Sequence, residues 1–361
     1  MSEVLDLPRE PLAGVPGAPA RPADGAPRAL PAVLGTALRR AAPRVLSLLL
    51  VVLGIAVLNF FILQLAPGDV VDVLAGEAGG ASPEYMALLR ERFGLDAPWH
   101  VQLLNYLGQL LTLDLGFSFR HNMPVVDLVA ARLPATLLLM LSALGLALVL
   151  GVLLGVSAAR KPGGAWDATL SVVGLVSYAL PTFWLGLMAI VLFAGHLGWL
   201  PSSGMVDLSA DHSGWDHVRD VAAHTVLPAS VLATFYIAVY ARLVRAAMVE
   251  LQGADFVRTA RAKGASDARA RWRHAFRNAL LPLVTMVGFQ TASLLSGAVL
   301  VESVFDWPGL GRLTFESIQA RDFNLLLSIL FLSSLLVVAV NLVVDLLYGW
   351  LDPRVRVEGD A

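Results

Sequence analysis

The chain has 361 residues, of which 57% are hydrophobic and only 15% are charged. A soluble domain of this size could not cover its surface with so few charged side chains, so the composition predicts an integral membrane protein. The sequence has no cysteine, which excludes disulfides, thiol nucleophiles and cysteine metal sites, and its net charge of −2 indicates no particular partner.

The N-terminal segment, residues 1–44, is rich in proline, alanine and glycine. We expect it to form a disordered tail, because such a composition buries too little apolar surface to offset the entropy of folding. Residues 45–66 then form an apolar run long enough for a first transmembrane helix. This run starts too late and is too long for a signal peptide.

Residues 67–132 are predicted to form a long external loop that contains short helices at 83–93 and 99–111. Two interpretations of these amphipathic helices are open. Either they cap the mouth of a pore or receive an external partner, or they lie along the membrane surface.

Residues 133–351 contain five further apolar runs, each a candidate for the roughly 20 residues that a membrane span needs. We expect these spans at 133–158, 170–197, 225–241, 280–301 and 325–350. Pro181 is predicted to kink the second of them, and Pro282 to lie in the first turn of the fourth. The loop at 198–224 is expected to be solvated and free of metal, and residues 352–361 to form a C-terminal tail.

The distribution of lysine and arginine predicts the orientation of the spans. Nineteen of these residues lie before the first span, after the last one, or in two of the loops. These two loops separate the span 133–158 from 170–197 and the span 225–241 from 280–301. The other seven lie in the remaining loops. Because cytoplasmic loops carry the excess of positive charge, both termini are predicted to be cytoplasmic.

A basic loop, residues 250–282, lies between the apolar runs 225–241 and 280–301. A short helix is predicted to begin near Asp255, where an acidic side chain suits the helix N-terminus. Gly264 is predicted to end that helix in a left-handed conformation, and Ser266 to cap a second helix that ends at Asn278. On this pattern alone, contact with anionic lipid and docking of a protein partner are equally open.

Two pieces of this loop, RTARAKG at 258–264 and RHAFRNALLP at 273–282, closely resemble the cytoplasmic coupling loop of ABC importer permeases. The resemblance is to the peptide/nickel/opine family, and within it to the subunit that has the long first external loop. It continues through LAPGD at 65–69, FGLD at 93–96, DLGFS at 114–118, LPATL at 133–137, LPTFW at 180–184, LP at 200–201, VESVFDWPGLGR at 301–312, RD at 321–322 and DPR at 352–354. The general permease consensus begins the coupling loop with Glu-Ala-Ala, and Arg258, Thr259 and Ala260 take those places here, which is similar to the peptide branch.

The resemblance implies an all-α integral membrane protein with six transmembrane helices, the type I ABC importer permease fold and a cytoplasmic coupling helix. It further implies a multi-pass subunit of the bacterial inner membrane that forms half of a translocation pathway for dipeptides or oligopeptides. Its implied partners are a second homologous permease subunit, one or two ABC ATPase subunits, an extracytoplasmic substrate-binding protein and membrane lipid. Nickel chelates, opines and other small solutes are alternative cargoes for the same architecture.

The sequence also predicts where ATP does not bind. Its two lysines, Lys161 and Lys263, do not follow a glycine, so the chain lacks a phosphate-binding loop of the Gly-Lys type. We therefore expect a non-catalytic subunit that binds no cofactor and no nucleic acid. The resemblance places ATP and Mg²⁺ on the partner ATPase subunits.

The resemblance assigns roles to several groups of residues. Those expected to form the ATPase-coupling helix are Phe256, Arg258, Thr259, Ala260, Ala262, Lys263 and Gly264. Those expected at the end of the coupling loop are Arg277, Asn278 and Pro282. Those expected at the external mouth are Pro67, Gly68, Asp69, Glu302, Asp306, Trp307, Pro308 and Gly309. By polarity, Gln64, Gln290 and Ser293 are candidates to line the pathway, and no metal site is predicted.

Alternatives are open for four polar residues near the spans. Glu302 and Asp306 either belong to a segment that re-enters or plugs the external mouth, or cap the stretch 304–310. Asn341 and Asp345 either pair with a basic residue or form the proton relay of an ion-coupled secondary transporter. A secondary transporter would not explain the basic loop, and a membrane enzyme is disfavoured because no catalytic constellation is recognisable.

Overall fold

The computed structural model describes residues 30–65, 71, 82–92, 94–112, 114–118, 120–209, 213–320 and 322–351. The chain divides into two compact units, Met1–Leu49 and Leu50–Ala361. The described part of the first unit is the beginning of helix α1, Leu30–Gln64. The second unit contains the rest of α1 and every other described element.

Helix α1 corrects the prediction of a disordered tail over residues 1–44. The helix begins at Leu30, so residues 30–44 are helical, while residues 1–29 lie outside the described part of the chain. Residues 30–44 contain several alanines, leucines and arginines, which are strong helix formers. Pro31 lies in the first turn, where a proline is tolerated because its missing N–H would have no helical acceptor.

The segment that follows α1 contains two of the predicted helices and a hairpin that was not predicted. Helix α2 is Pro83–Arg92 and helix α3 is Trp99–Leu111, close to the predicted bounds. Strands β1, Phe117–Ser118, and β2, Met123–Pro124, pair antiparallel. Strands of two residues are too short to produce an alternating pattern, which is why the sequence did not reveal them.

Two of the spans are longer than predicted. Helix α4 is Val125–Ala158, so residues 125–132 are helical and not part of a loop. Helix α7 is Trp215–Gln252, a rod of about 57 Å at 1.5 Å per residue, and it extends well beyond the predicted span 225–241. Charged side chains at both ends of α7 lower the local hydropathy without interrupting the helix, so apolarity alone underestimated its length.

The predicted span 170–197 is broken and not merely kinked. Helix α5 is Ala165–Ala179, helix α6 is Thr182–Ala189, and a π-helical segment, Ile190–His196, continues α6. The two parts meet at an angle of 102°. Pro181 lacks an N–H group and holds Leu180 in an extended conformation, with ψ of 132°, so the helix ends before the proline.

The basic loop leads without interruption into the next span. Helix α8 is Asp255–Ala262 and the short helix α9 is Asp267–Arg269. A π-helical segment, Ala270–Ala275, then joins helix α10, Phe276–Val304. The predicted helix end at Asn278 is therefore wrong, and Pro282 lies inside α10 instead of in its first turn. Helix α10 is bent by 50° between Pro282–Gln290 and Ala292–Val304.

Two helices complete the second unit: α11, Leu310–Ala320, and α12, Phe323–Leu351. Within the described residues, three helices are long and apolar enough to cross a membrane, or five if each bent pair is one span. Helix α1 adds a shorter apolar stretch, Leu46–Ile62. The number of six spans therefore stays a prediction.

Helices α4 and α7 pack closely because α4 has two glycines on the face that contacts α7. A Cβ atom at Gly155 would lie 2.6 Å from the carbonyl oxygen of Ala241 and 2.9 Å from Cβ of Val244. A Cβ atom at Gly151 would lie 2.7 Å from Cβ of Tyr240. Small residues four apart let membrane helices approach to backbone contact, and the main apolar core forms around this contact.

Candidate coupling helix and external clamp

Helix α8 is held against the core by one apolar side chain. Val257 is completely buried and belongs to the same apolar cluster as Met248 of α7 and Ala270 and Ala275 of the π-helical segment. Val257 was not among the predicted site residues, although an apolar, β-branched residue within a basic segment is a sign of burial. This contact defines which side of α8 faces away from the protein.

The outward side of α8 carries most of the residues predicted to contact an ATPase. Ala260 is partly buried, and Phe256 is 43% exposed. The exposed residues of the predicted set are Phe256, Arg258, Thr259, Ala262, Lys263 and Gly264. The fold therefore leaves this surface available for a partner.

The end of α8 is fixed by the conformation of Gly264. Its φ angle is +87°, the left-handed conformation that the sequence predicted. The Gly264 N–H donates to the carbonyl of Arg261 at 2.9 Å, and the Ala265 N–H donates to that of Ala260 at 3.1 Å. These two bonds form a Schellman motif. Lys263, predicted as a residue of the coupling helix, is the capping residue that follows it.

Gly264→Val is expected to disturb the direction of α8 without unfolding the protein. The backbone conformation costs a residue with a Cβ atom about 1–2 kcal/mol, and a β-branched side chain is the least suited to it. No atom lies within 4 Å of a Cβ atom at this position, so the effect is conformational and not steric. We expect normal amounts of membrane-inserted protein with impaired assembly with the predicted ATPase partner, or with hydrolysis uncoupled from transport.

The matched control is Gly264→Asn, because asparagine adopts the left-handed conformation more readily. Comparing membrane insertion, ATPase co-purification and transport per ATP hydrolysed separates the two variants. Full coupling in Gly264→Val would show that the helix end has no role in coupling.

Polar contacts in the turn after Gly264 connect α8 to the following segment. The Ser266 hydroxyl accepts a hydrogen bond from the Arg269 N–H at 3.4 Å, as expected for an N-terminal cap. Arg261 Nε lies 3.2 Å from Asp267 Oδ1. Beyond this turn, Arg277 and Asn278 are exposed at the start of α10. These bonds set the angle at which α8 meets the segment leading into α10.

An ion pair that the sequence did not reveal joins two helices near the same end of the protein. The guanidinium of Arg245 on α7 donates to both carboxylate oxygens of Asp167 on α5, with a distance of 2.6 Å for Nη2. The N–H of Gly163 donates to the same carboxylate at 2.8 Å. Asp167 is buried, so Arg245 serves as its counter-ion and is not simply directed towards lipid headgroups.

At the far end of α10, Glu302 forms what we call the external clamp. Its carboxylate is completely buried, accepts a hydrogen bond from the Thr136 hydroxyl at 2.7 Å, and accepts from the N–H groups of Gly311 and Arg312 at 2.7 and 3.1 Å. The Thr136 hydroxyl oxygen accepts from the N–H of Leu310 at 2.7 Å. The first turn of α11 is thus capped by an acid on one helix and a hydroxyl on another. Glu302 therefore caps α11 and does not cap the stretch 304–310, as one alternative had predicted.

The residues between Glu302 and α11 form a tight turn around the clamp. The indole N–H of Trp307, which is completely buried, donates to the carbonyl of Ala135 at 2.9 Å. Asp306 has a φ angle of +54° and pairs with Arg312 at 2.6 Å. Gly309 is required here because a Cβ atom would lie 2.3 Å from the Glu302 carboxylate.

Other residues predicted for the external mouth lie at different places. Pro308 is partly buried in the same turn. Pro67, Gly68 and Asp69 lie outside the described residues. Of the two clamp side chains, only Glu302 was a predicted site residue. Thr136 could not be assigned to the same site because it is 166 residues away from Glu302 along the chain.

The candidate pathway residues lie on two separate helices. Gln64, the last residue of α1, donates to Gln102 Oε1 of α3 at 2.9 Å. Gln290 is partly buried and Ser293 is exposed, and both lie on α10. Ser293 shares an exposed face of α10 with Thr285, Phe289 and Ser296, since these positions are three or four residues apart. Phe289 is 79% exposed at the bend of the helix.

Comparison with known families identifies the chain. A family model described as a binding-protein-dependent transport system inner membrane component matches residues 151–357. The model of the N-terminal part of such membrane components matches residues 37–140. The chain belongs to this family. The resemblance to ABC importer permeases is thereby confirmed, and the protein is a transport permease of the membrane.

Curated relatives of this permease are similar over most of their length. The di/tripeptide transport system permease protein DppB of Pseudomonas aeruginosa is 42% identical, over 84% of this chain and 94% of the relative. The dipeptide transport system permease protein DppB of Escherichia coli is 40% identical over the same shares. A putative peptide transport system permease protein of Brucella abortus is 40% identical, over 87% of this chain and 97% of the relative.

A solved structure supports the fold of the permease. The MetNI methionine ABC transporter, in an inward-facing conformation, contains a chain that matches with a TM-score of 0.50 and 19% identity. The match covers 62% of the permease and 96% of the other chain. At this identity the likeness shows the fold alone.

Proposed function

We propose that this permease is a subunit of an ATP-driven importer of dipeptides or oligopeptides and forms half of the pathway across the bacterial inner membrane. The observation that carries the proposal is its 40–42% identity to three permeases named for peptide transport, over 84–87% of the chain. A second homologous permease completes the pathway. ATPase subunits on the cytoplasmic side drive transport, and an extracytoplasmic binding protein delivers the peptide.

In this proposal, α8 transmits the movement of the ATPase to the membrane helices. Its outward side carries exposed Phe256, Arg258 and Lys263, whereas Val257 fixes its inward side to the core. A force applied to the outward side therefore acts on the core through Val257 and through the turn at Gly264. ATP and Mg²⁺ bind to the ATPase subunits, where ATP is hydrolysed. This permease supplies only the contact, through α8, that transmits their movement.

The exposed face of α10 is the proposed lining of the pathway. A hydroxyl group in contact with lipid tails can bond only to its own helix, as Ser296 does by donating to the carbonyl of Ala292 at 3.2 Å. Polar side chains on membrane helices therefore more often face protein or a water-filled cavity, where they gain further partners. The face around Ser293 carries hydroxyl groups and no charge. Such groups can hydrogen-bond to the amides of a peptide backbone whatever its side chains.

The proposal is tested by purifying the tagged permease from its native membrane and identifying the proteins that accompany it. We expect a second permease and ABC ATPases. After reconstitution with the binding protein, uptake of a labelled dipeptide should require ATP. Uptake that follows a proton gradient without ATP would contradict the proposal and favour a secondary transporter.

We expect cysteine labelling to place α3 outside the cell and α8 in the cytoplasm. The native chain has no cysteine, so single substitutions report cleanly. Leu111→Cys, at a residue that is 88% exposed on α3, should react with a membrane-impermeant maleimide added to intact spheroplasts. Ala262→Cys, at an exposed residue of α8, should react only after the membrane is opened. The reverse pattern would invert the topology.

Charge reversal at Arg258 is expected to weaken assembly with the ATPase more than charge reversal at Lys263. With the helical rotation of about 100° per residue continued to the capping residue Lys263, the two side chains point about 140° apart, so they cannot both face one partner squarely. The planar guanidinium of Arg258 suits a carboxylate on the ATPase. Its contact with Asp255, 3.9 Å away between side chains that are 74% and 99% exposed, is too weak to hold it back.

Co-purification of the ATPase with Arg258→Glu and Lys263→Glu measures this difference. Added salt should reduce the difference, because it screens exposed charges. An equal or larger loss in Lys263→Glu would mean that the partner contacts the opposite edge of α8.

A further inference from the structure

We propose that the segment leading from α8 into the first turn of α10 binds the phosphate headgroups of anionic phospholipids in the cytoplasmic leaflet. The surface consists of Arg269, Arg273 and Arg277 with Trp272 beside them, and we call it the basic lipid surface. It is separate from the outward side of α8. The inference rests on the cytoplasmic orientation proposed above and is independent of the transported compound.

The three arginines form one exposed row. They are spaced four residues apart along the continuous helical segment, so they lie on the same face. The buried face of this segment is formed by Ala270, Ala275 and Ala279. The first two of these alanines are five apart, which matches the wider turn of the π-helical segment and keeps both against the core.

The row has no acidic partner within the described part of the chain. No aspartate or glutamate occurs between residues 268 and 301, and Asp267 already pairs with Arg261. Arg269, Arg273 and Arg277 take part in no ion pair among the described residues. Nε of Arg271, on another side of the segment, is buried and also has no hydrogen-bond partner there. The segment therefore has an uncompensated positive charge.

The position of the row along the chain places it at the height of the lipid headgroups. Arg277 is followed by the uncharged run 278–301, which is 24 residues long. At 1.5 Å per residue this run follows about 36 Å of helix axis, and with the 50° bend inside it the run is still long enough to cross a hydrocarbon layer of about 30 Å. Arg277 therefore lies close to the boundary of that layer, with Arg273 and Arg269 about 6 and 12 Å further out along the helix axis.

The aromatic residues beside the row favour lipid over a soluble partner. Trp272 is 40% exposed and packs edge-on against Phe276, with ring centroids 5.2 Å apart. Tryptophan is enriched at the membrane interface, where its ring contacts acyl chains and its N–H stays near the headgroups. Because the row follows α8 after one turn, a bound headgroup would fix the base of the coupling helix against the membrane.

The test uses the whole complex, with the second permease and the ATPase, in nanodiscs of phosphatidylcholine with or without phosphatidylglycerol. Native mass spectrometry measures the phosphatidylglycerol retained, and ATP hydrolysis measures coupling. The variant is Arg273→Gln with Arg277→Gln. Its matched control is Arg160→Gln with Lys161→Gln, which removes the same charge from two exposed residues between α4 and α5.

We expect the variant to bind phosphatidylglycerol about 25-fold more weakly, at about fivefold for each charge near the surface, and to lose lipid stimulation of hydrolysis. Arg273→Lys with Arg277→Lys should keep most of both. The control also removes two charges near the same leaflet, but away from the row beside Trp272, so its loss should be clearly smaller than that of the variant. Equal losses in variant and control would reduce the effect to net charge and overturn the proposal. Loss of ATPase co-purification in neutral detergent would also overturn it, because the row would then contact the ATPase.

Discussion

Glu302→Ala is expected to destabilise the permease more than any other single side-chain truncation discussed. The substitution leaves the N–H groups of Gly311 and Arg312 and the Thr136 hydroxyl without their acceptor in a completely buried site. Each unsatisfied buried donor costs about 1–3 kcal/mol, so we expect a loss of at least about 3 kcal/mol. The loss should appear as a large decrease in the thermal unfolding temperature of the detergent-purified protein.

Two further variants test the cause of that loss. Glu302→Gln keeps one acceptor oxygen and should lie between the wild type and Glu302→Ala. Glu316→Ala removes another acid that contacts Arg312, but from a side chain that is 34% exposed, and it should have little effect. If Glu302→Ala were no less stable than Glu316→Ala, the capping of α11 by the clamp would not contribute to stability.

The second large effect is expected for Gly155→Val. The new Cβ atom would be 2.6 Å from the carbonyl oxygen of Ala241, which belongs to the backbone of α7 and cannot rotate away. Helices α4 and α7 must then separate, and their separation opens the main core along its length. Overpacking of a core costs about 1–3 kcal/mol when side chains can adjust, and more is expected against a backbone.

Gly145→Val is the matched control for this prediction, because it lies on the same helix and a Cβ atom there would have nothing within 4 Å. The amount of folded protein in the membrane and its thermal stability should fall for Gly155→Val and stay near wild type for Gly145→Val. Similar losses in both would indicate a general effect of valine on α4 and not a helix contact.

Local features were predictable where the determining residues are close in sequence. The bounds of α3 follow from Pro98 and the polar turn after Leu111, and the left-handed Gly264 follows from the helix that it ends. Features set by apolarity alone were less accurate. Charged ends hid the length of α7, and the sequence could not reveal whether Pro181 bends a helix or divides it, because both outcomes satisfy the same hydropathy.

The candidate site shows the same limit. The outward residues of α8 could be named from the motif, but their counterpart Val257 became evident only from burial. The ion pair of Asp167 with Arg245 joins residues 78 apart, and neither residue has a local pattern that names its partner. Contacts between distant segments depend on how the helices pack, which no short motif encodes.

The uncharged run of α10 has an electrical consequence. An elementary charge that crosses a potential of 100 mV exchanges about 2.3 kcal/mol with the field, which is why voltage sensors carry arginines. Residues 278–301 carry no such charge, although Arg277 and Glu302 flank them within α10, so a rearrangement confined to this run moves no charged side chain through the membrane potential. Any voltage dependence that arises along this run would therefore come from the net charge of the cargo itself.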